Sequence, residues 1–193
     1  MLKPAIISIS LITVMSASAI SPALYLIAAI FPNATPTMIK LILTGPSLTI
    51  VPFSFISSYL VNYMSKRNLL LLGISIYIIG GVGGQFANTI WILLLLRLLL
   101  GAGVGLILPL SMSLINDYFT GDERTRMMGY NSAFSNFGGI VTIVVAGILA
   151  TYGWRIPFNV YLIGFVVMSL VFFFIPNERV KNEVTEKEKT GIP

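Results

Sequence analysis

The amino-acid sequence predicts an all-α membrane protein with six transmembrane helices, and two observations carry this prediction. Hydrophobic residues make up 56% of the 193 residues and charged residues only 10%, whereas a typical soluble domain is about 25% charged. The apolar residues also form six stretches long enough to cross a bilayer, which takes about 20 residues per helix. A soluble fold of this length exposes too much surface to hide such a composition.

The six spans are separated by short polar breaks. We expect them at residues 5–30, 38–63, 69–87, 90–116, 127–152 and 156–175. Residues 31–37 contain two prolines and an asparagine, and they end the first span because proline lacks the N–H that helical hydrogen bonding needs. Only Asn88 and Thr89 separate the third and fourth spans, which predicts an antiparallel helical hairpin. Residues 117–126 are expected to form a polar loop before the fifth span.

Lysine and arginine residues are concentrated on one side of the predicted membrane. With the N-terminus inside, that side carries nine of them, and the opposite side carries only Lys40 and Arg155. The nine are Lys3, Lys66, Arg67, Arg124, Arg126, Arg179, Lys181, Lys187 and Lys189. Because cytoplasmic loops carry the basic excess, we expect both termini in the cytoplasm and the spans in the plasma or inner membrane. Topology thus accounts for the net charge of +5, and nucleic acid is not expected as a partner.

The start of the chain allows a second interpretation. Lys3, the apolar residues 5–15 and the small residues 17–19 together resemble a secretory signal with its cleavage site. Against this, the hydrophobic stretch continues to Ile30, which is longer than a signal core. We therefore favour a first transmembrane helix.

The composition excludes several kinds of chemistry. The sequence contains no cysteine and no histidine, so thiolate metal sites, cysteine nucleophiles and histidine general bases are excluded. None of the acidic residues falls inside a predicted span, and intramembrane proteases need such acids or a histidine. An acidic ring or filter-like carbonyl run typical of channels is also missing. We expect a protein that is not an enzyme and that uses no cofactor or metal.

Arg97 is the one charged residue well inside a predicted span, since Lys40 lies at the outer end of the second span. A charge at the centre of a membrane helix costs about 2.5 to 3.5 kcal/mol on insertion scales, so such residues are usually functional and face protein or water. We therefore predict a functional role for Arg97. The alternative is an arginine whose long side chain reaches the outer interface.

Polar residues predict a cavity lined by spans one, two, four and five. Ser21 and Tyr25 share one face of the first span with Ser10, Thr13 and Ala17. The fifth span contains two amides, Asn131 and Asn136, which are costly in a membrane without a partner or water. The third and sixth spans are almost wholly aliphatic and aromatic, and we expect them to face lipid. The alternative is that these polar side chains join helices to one another, at about 0.6 kcal/mol each.

Four short motifs occur in register with these spans. Arg97 precedes Gly101, Gly103 and Gly105 in an R-x-x-x-G-x-G-x-G pattern, whose small residues allow close helix packing. Residues 58–67 read SYLVNYMSKR, residues 117–124 combine DYF with ER, and residues 153–158 read GWRIPF. Together these motifs make residues 4–176 resemble the N-terminal six-helix half of a major facilitator superfamily transporter.

This resemblance implies a gating loop between spans two and three, with Ser58, Asn62, Ser65, Lys66 and Arg67 at its functional positions. The family pattern there is G-x-L-A-D-R-x-G-R-K. In this chain serines replace both glycines, Asn62 replaces the acid and Tyr63 replaces the first arginine. The family acid caps a helix of the opposite half, so an uncharged Asn62 implies a weaker latch. The resemblance also implicates Arg97 in proton coupling or substrate anchoring.

The resemblance implies a secondary active transporter that moves a small-molecule substrate across the lipid bilayer by alternating access. Residues 1–176 would form one transmembrane half, and residues 177–193 a charged cytoplasmic tail or the start of the loop between halves. Proton-coupled efflux of drug-like or amphipathic compounds is the expected activity, with any coupling carboxylate supplied by a second half. That half is a missing six-helix unit or a homodimer mate. The alternative is a truncated or non-transporting six-helix protein, a scaffold or a remnant.

Overall fold

The computed structural model describes residues 2–177 of the chain. Its helices are α1 (Leu2–Ser18), α2 (Leu24–Ile30), α3 (Pro36–Leu60), α4 (Lys66–Gly83), α5 (Ile90–Tyr118), α6 (Gly121–Ala150) and α7 (Ile163–Phe174). Three 3-10 segments complete the fold, at Ser21–Ala23, Gly84–Phe86 and Ile156–Leu162. No residue between 2 and 177 belongs to a β-strand.

Six helical segments are long and apolar enough to cross a membrane, which confirms the predicted all-α class with six spans. They are Lys3–Ile30, Pro36–Leu60, Lys66–Phe86, Ile90–Tyr118, Gly121–Ala150 and Ile156–Phe174. The predicted tail lies outside the described residues, apart from Asn177.

Hydroxyl side chains start three of the long helices. Thr35, Ser65 and Thr89 each accept a hydrogen bond from the backbone N–H three residues later, at 3.3, 3.4 and 3.3 Å. These bonds satisfy donors that have no partner within the helix. The short polar breaks of the sequence therefore become helix caps, and they keep each hairpin connection tight.

The prediction of a polar loop at residues 117–126 is wrong for most of these residues. Helix α5 continues to Tyr118 and α6 begins at Gly121, so only Phe119 and Thr120 separate them. Gly121 has a φ of 55°, a left-handed conformation that glycine adopts without strain. Asp122 and Glu123 occupy the first turn of α6, where acidic side chains interact favourably with the helix dipole. Their polarity marks a helix start and not a loop.

The first span is interrupted near its middle. Helix α1 ends at Ser18, a 3-10 turn covers Ser21–Ala23, and α2 begins at Leu24. Pro22 lies in this turn and has no N–H to donate to the carbonyl of Ser18. The prolines at 46, 52 and 109, by contrast, lie inside helices that continue through them.

Helices α1 and α5 form the middle of the bundle. Helix α5 packs against α3, α4 and α1, and α1 packs against α6, α5 and α7. The spans of α4 and α5 are the most buried, and those of α3 and α6 the least. The glycine pattern explains the close contacts of α5. A methyl group on Gly101 or Gly105 would lie 2.3 or 2.6 Å from backbone oxygens of α3, and one on Gly103 would lie 2.6 Å from the backbone nitrogen of Tyr77 in α4.

The bundle has two ends, which we name by the residues they carry. The N-terminal end holds Lys3, the α3–α4 turn, the α5–α6 turn and Asn177, and the ion pair between Lys3 and Glu123 lies there. The distal end holds residues 31–35, 87–89 and 151–155. At that end Arg155 donates a hydrogen bond of 3.1 Å to the Asn88 side chain.

Candidate functional site

A polar cleft opens between α1, α5 and α6, with a volume of about 300 Å³. Most of the side chains around it carry hydroxyl or amide groups, and the two apolar ones belong to α5. The lining residues are Ser10, Thr13, Leu108, Ser111, Met112, Asn131, Ser132, Ser135 and Asn136. The cleft therefore brings hydroxyl and amide groups of three helices together.

Ser10 of α1 and Ser111 of α5 contact each other in this cleft. Their hydroxyl oxygens lie 2.6 Å apart, and both residues are buried. The Ser10 carbonyl also accepts hydrogen bonds from the hydroxyls of Thr13, at 2.7 Å, and Ser135, at 3.5 Å. These contacts join α1 to α5 and α6 by polar side chains, which small residues make possible at close helix approach.

The two predicted asparagines of α6 both line the cleft, but their surroundings differ. Asn131 is only 4% exposed, and its Oδ1 has no hydrogen-bond partner within residues 2–177. Asn136 is exposed, and its Nδ2 donates to the Ser132 carbonyl at 2.9 Å. Asn131 is therefore the amide with an unused acceptor, and such a buried group is costly unless a ligand or water supplies a donor.

Arg97 does not line this cleft. Its side chain is 1% exposed, so within the described chain it does not reach toward an interface. Its Nη1 donates to the Tyr161 hydroxyl at 2.7 Å, and that hydroxyl donates to the Ser16 carbonyl at 2.9 Å. The guanidinium also lies 4.9 Å from the centre of the Phe158 ring, within reach of a cation–π interaction.

The Ser16 carbonyl is available because α1 ends two residues later. The last carbonyls of a helix have no partner within it, so this one accepts from Tyr161 and, at 3.5 Å, from Arg97. The break in the first span is thus stabilised by the side chains of Arg97, in span four (α5), and Tyr161, in span six. Among residues 2–177 no carboxylate pairs with Arg97, and its Nε and Nη2 have no partner there.

The expectation that spans three and six only face lipid is wrong for one side of each. Tyr77 of α4 and Phe158 and Tyr161 of span six are fully buried. The rings of Tyr77 and Tyr161 meet edge to face, with centroids 5.6 Å apart. Aromatic residues alone do not reveal which side of a helix turns inward. Arg97 was the signal that polar partners had to exist, but nothing in the sequence identified them.

The structure separates the remaining candidates of the first span from the cleft. Ser21 and Tyr25 are exposed, and Tyr25 is 82% exposed. Ser21 lies within the interruption and Tyr25 directly after it, where the helix turns out of its earlier register. Ser111 is a lining residue that the sequence analysis passed over. It follows Arg97 by 14 residues, close to four helical turns, so it returns to nearly the same side of α5.

The predicted gating loop forms contacts at the N-terminal end. Lys66 pairs with Asp117 and donates to the Ser113 hydroxyl at 2.6 Å. Ser65 donates to the Asn177 side chain at 2.6 Å, and Arg67 lies 4.6 Å from the Phe172 ring centre. The basic part of the loop thus joins α4 to α5 and to the end of span six.

The first part of the gating loop, by contrast, is exposed. Ser58 and Asn62 are exposed, and Ser58 donates to the Ser54 carbonyl of its own helix. Tyr63, at the position of the family arginine, has its hydroxyl 2.9 Å from that of Tyr59. This hydrogen bond raises the pKa of Tyr63, and a tyrosine is uncharged at neutral pH even at its ordinary pKa. Asn62 and Tyr63 therefore present an uncharged surface, where the family pattern has an acid and a base.

Comparisons with known proteins assign the family. The sequence profile of the Major Facilitator Superfamily matches residues 6–192. The chain is 28% identical to the methylenomycin A resistance protein of Streptomyces coelicolor, over 74% of this chain and 31% of that protein. It is 25% identical to myo-inositol transporter 1 of Candida albicans, over 72% of this chain and 25% of that protein.

A solved structure agrees with this assignment at the level of the fold. The crystal structure of a D-xylose–proton symporter superposes with a TM-score of 0.82 at 16% identity, covering 97% of this chain and 51% of that one. The chain thus spans about half the length of this structural neighbour. With a profile match over nearly its whole length, the chain belongs to the major facilitator superfamily.

Proposed function

We propose that the chain supplies one six-helix half of a secondary active transporter and that the cleft between α1, α5 and α6 is part of its solute pathway. The observation that carries this proposal is the cleft itself. Three spans contribute hydroxyl and amide groups to this one opening. Solute sites of such transporters lie where the two halves meet, and alternating access is the movement of one half against the other.

The proposed direction and coupling are proton-coupled efflux of drug-like or amphipathic compounds. A relative named for methylenomycin A resistance supports efflux, and a structural neighbour named as a D-xylose–proton symporter supports proton coupling. The acidic residues of the described chain, Asp117, Asp122 and Glu123, lie at the N-terminal end of the bundle. A carboxylate that titrates within the membrane would therefore belong to the second half.

The proposed partner is a second six-helix unit, either a further part of the same protein or another copy of this chain. The proposed location is the plasma or inner membrane with both termini cytoplasmic, and residues 177–193 would be the cytoplasmic tail or linker. An antibody against those residues measures the polypeptide in its native membrane. A band near 21.0 kDa favours pairing of separate chains or a non-transporting protein. A band of about twice that mass favours a single polypeptide with both halves.

Single cysteines give a direct test of alternating access, because the chain contains none of its own. Ser132→Cys places a thiol in the cleft. Ser169→Cys is the matched control, since Ser169 is exposed on α7, outside the cleft. In membranes containing the full chain, a charged membrane-impermeant maleimide should label Ser132→Cys from both sides, and Ser169→Cys from neither.

Other labelling patterns would contradict the proposal. Labelling of Ser132→Cys from one side only contradicts alternating access and favours the non-transporting alternative. Labelling no faster than Ser169→Cys removes the cleft from the pathway. Arg97 is tested separately by transport: Arg97→Ala should abolish transport without loss of insertion, and unchanged transport would remove Arg97 from the mechanism.

A further inference from the structure

The cleft carries no ionisable side chain among its lining residues. The charged groups of the same helices lie outside it: Arg97 contacts Tyr161 and Ser16, Asp117 pairs with Lys66, and Arg126 lines a separate pocket with Lys3 and Glu123. A charged solute brought into the membrane interior without an opposite charge loses its hydration with no compensation. The lining that this half contributes therefore offers no opposite charge and favours an uncharged solute.

Most polar groups of the cleft already have hydrogen-bond partners in the protein, which limits the groups that remain free to bind a solute. The Thr13 and Ser135 hydroxyls donate to the Ser10 carbonyl, and the Asn136 amide donates to Ser132. The buried Oδ1 of Asn131 stays without a donor in the described chain. In the Ser10–Ser111 pair one hydroxyl donates to the other, so the accepting hydroxyl keeps its own proton to donate.

From this arrangement we infer that the cleft binds an uncharged amphipathic solute that donates a hydrogen bond to Oδ1 of Asn131. The solute accepts a bond from the Ser10–Ser111 pair and places apolar surface against Leu108 and Met112. This inference rests on the proposed function, because it names the solute class of the same site. Asn131 is the specificity-determining residue of this half, and Arg97 takes no direct part in binding.

Three probes of matched shape test the inference at a pH below the pKa of the amino sugar: phenyl β-glucoside is neutral, phenyl β-glucosaminide is cationic and phenyl β-glucuronide is anionic. Each is added to membranes containing the full chain with Ser132→Cys, and the maleimide labelling rate is measured. The glucoside should slow labelling, and the two charged probes should not. Asn131→Leu should weaken protection by the glucoside about fivefold, the effect of one lost hydrogen bond. Asn116→Leu, at the exposed end of α5 and outside the cleft, should leave protection unchanged.

A second variant keeps the test valid if Asn131→Leu does not fold. Asn131→Asp preserves shape and adds a negative charge, so protection should pass from the glucoside to the glucosaminide. Protection by a charged probe as strong as by the glucoside in the unaltered cleft would overturn the inference. Absence of protection by all three probes would also overturn it, while two-sided labelling of Ser132→Cys would still support the proposed function. One-sided labelling would instead count against the proposed function itself.

Discussion

Nη1 of Arg97 lies 2.7 Å from the hydroxyl oxygen of Tyr161, which in turn lies 2.9 Å from the carbonyl oxygen of Ser16. These three groups connect spans four, six and one at the point where the first span is interrupted. The hydroxyl of Tyr161 accepts one hydrogen bond and donates the other, so it connects the guanidinium to the end of α1. The interruption is therefore a defined structure stabilised by a buried cation.

Tyr161→Phe should destabilise the bundle by about 1 to 2 kcal/mol, since it removes two buried hydrogen bonds, one of them to a charged donor. Tyr77→Phe is the matched control. Tyr77 is equally buried and touches the Tyr161 ring, but its hydroxyl has no partner within the described residues. Removing an unsatisfied buried hydroxyl should be neutral or stabilising. Thermal unfolding of both purified variants in one detergent measures the difference, and equal losses would show that the Tyr161 hydroxyl has no special role.

Gly101→Ala should disrupt the contact between α5 and α3. The added methyl carbon would lie 2.3 Å from the Pro46 carbonyl oxygen and 2.3 Å from Oγ1 of Thr49. Backbone cannot yield as a flexible side chain does, so we expect a loss of about 1 to 3 kcal/mol, as for other overpacked sites.

The control for this change is Gly129→Ala in α6, where an added methyl group meets nothing within 4 Å. Alanine is the better helix former by about 1 kcal/mol, so this variant should be as stable as the original chain or more so. Yield of monodisperse protein and its unfolding temperature measure both variants. A Gly101→Ala protein as stable as Gly129→Ala would contradict the close helix contact.

Lys66 and Asp117 should show a measurable coupling energy, because Lys66 has a side-chain exposure of only 12%. A double-mutant cycle with Lys66→Met and Asp117→Asn should give a coupling at the upper end of the range of about 0.2 to 1 kcal/mol. The pair of Lys3 and Glu123, with exposures of 57% and 55%, is the comparison and should couple less. Raising the salt concentration should weaken the exposed pair more, and the opposite order would contradict this ranking.

The orientation of the bundle can be measured with two exposed asparagines at opposite ends. Asn33 lies in the break after the first span and Asn62 in the α3–α4 turn. With cytoplasmic termini, an impermeant maleimide should label Asn33→Cys on intact cells, and Asn62→Cys only after the membrane is opened. The reverse pattern would mean that the basic residues do not set the orientation of this chain.

Sequence reasoning predicted the number of spans correctly because hydrophobic length is a local property. A stretch of about 20 apolar residues crosses a bilayer whatever its neighbours are. It misread residues 117–126, because Asp122 and Glu123 are polar both as loop residues and as the first turn of α6. Polarity alone does not distinguish a helix start from a connection when the connection is as short as Phe119 and Thr120.

The candidate functional site was also predictable only in part. Arg97, Asn131 and Asn136 could be singled out from the sequence, because any charge or amide inside a membrane span requires an explanation in terms of partners or water. Their arrangement could not. Tyr161 follows Arg97 by 64 residues, and the Ser10–Ser111 contact bridges 101 residues, so no helical period connects them.

Composition and hydrophobic length were enough for the membrane class, the six spans and the residues that need partners, because these depend on each segment and its solvent. Which face of each helix turns inward was settled only by the packing of the bundle. Packing placed Arg97 with Tyr161 and Ser16, placed Asn131 in the polar cleft and left Tyr25 exposed. Such contacts depend on close helix approach, as where Gly138 and Gly139 of α6 lie against Leu11 and Val14 of α1, and that approach is a property of the assembled bundle.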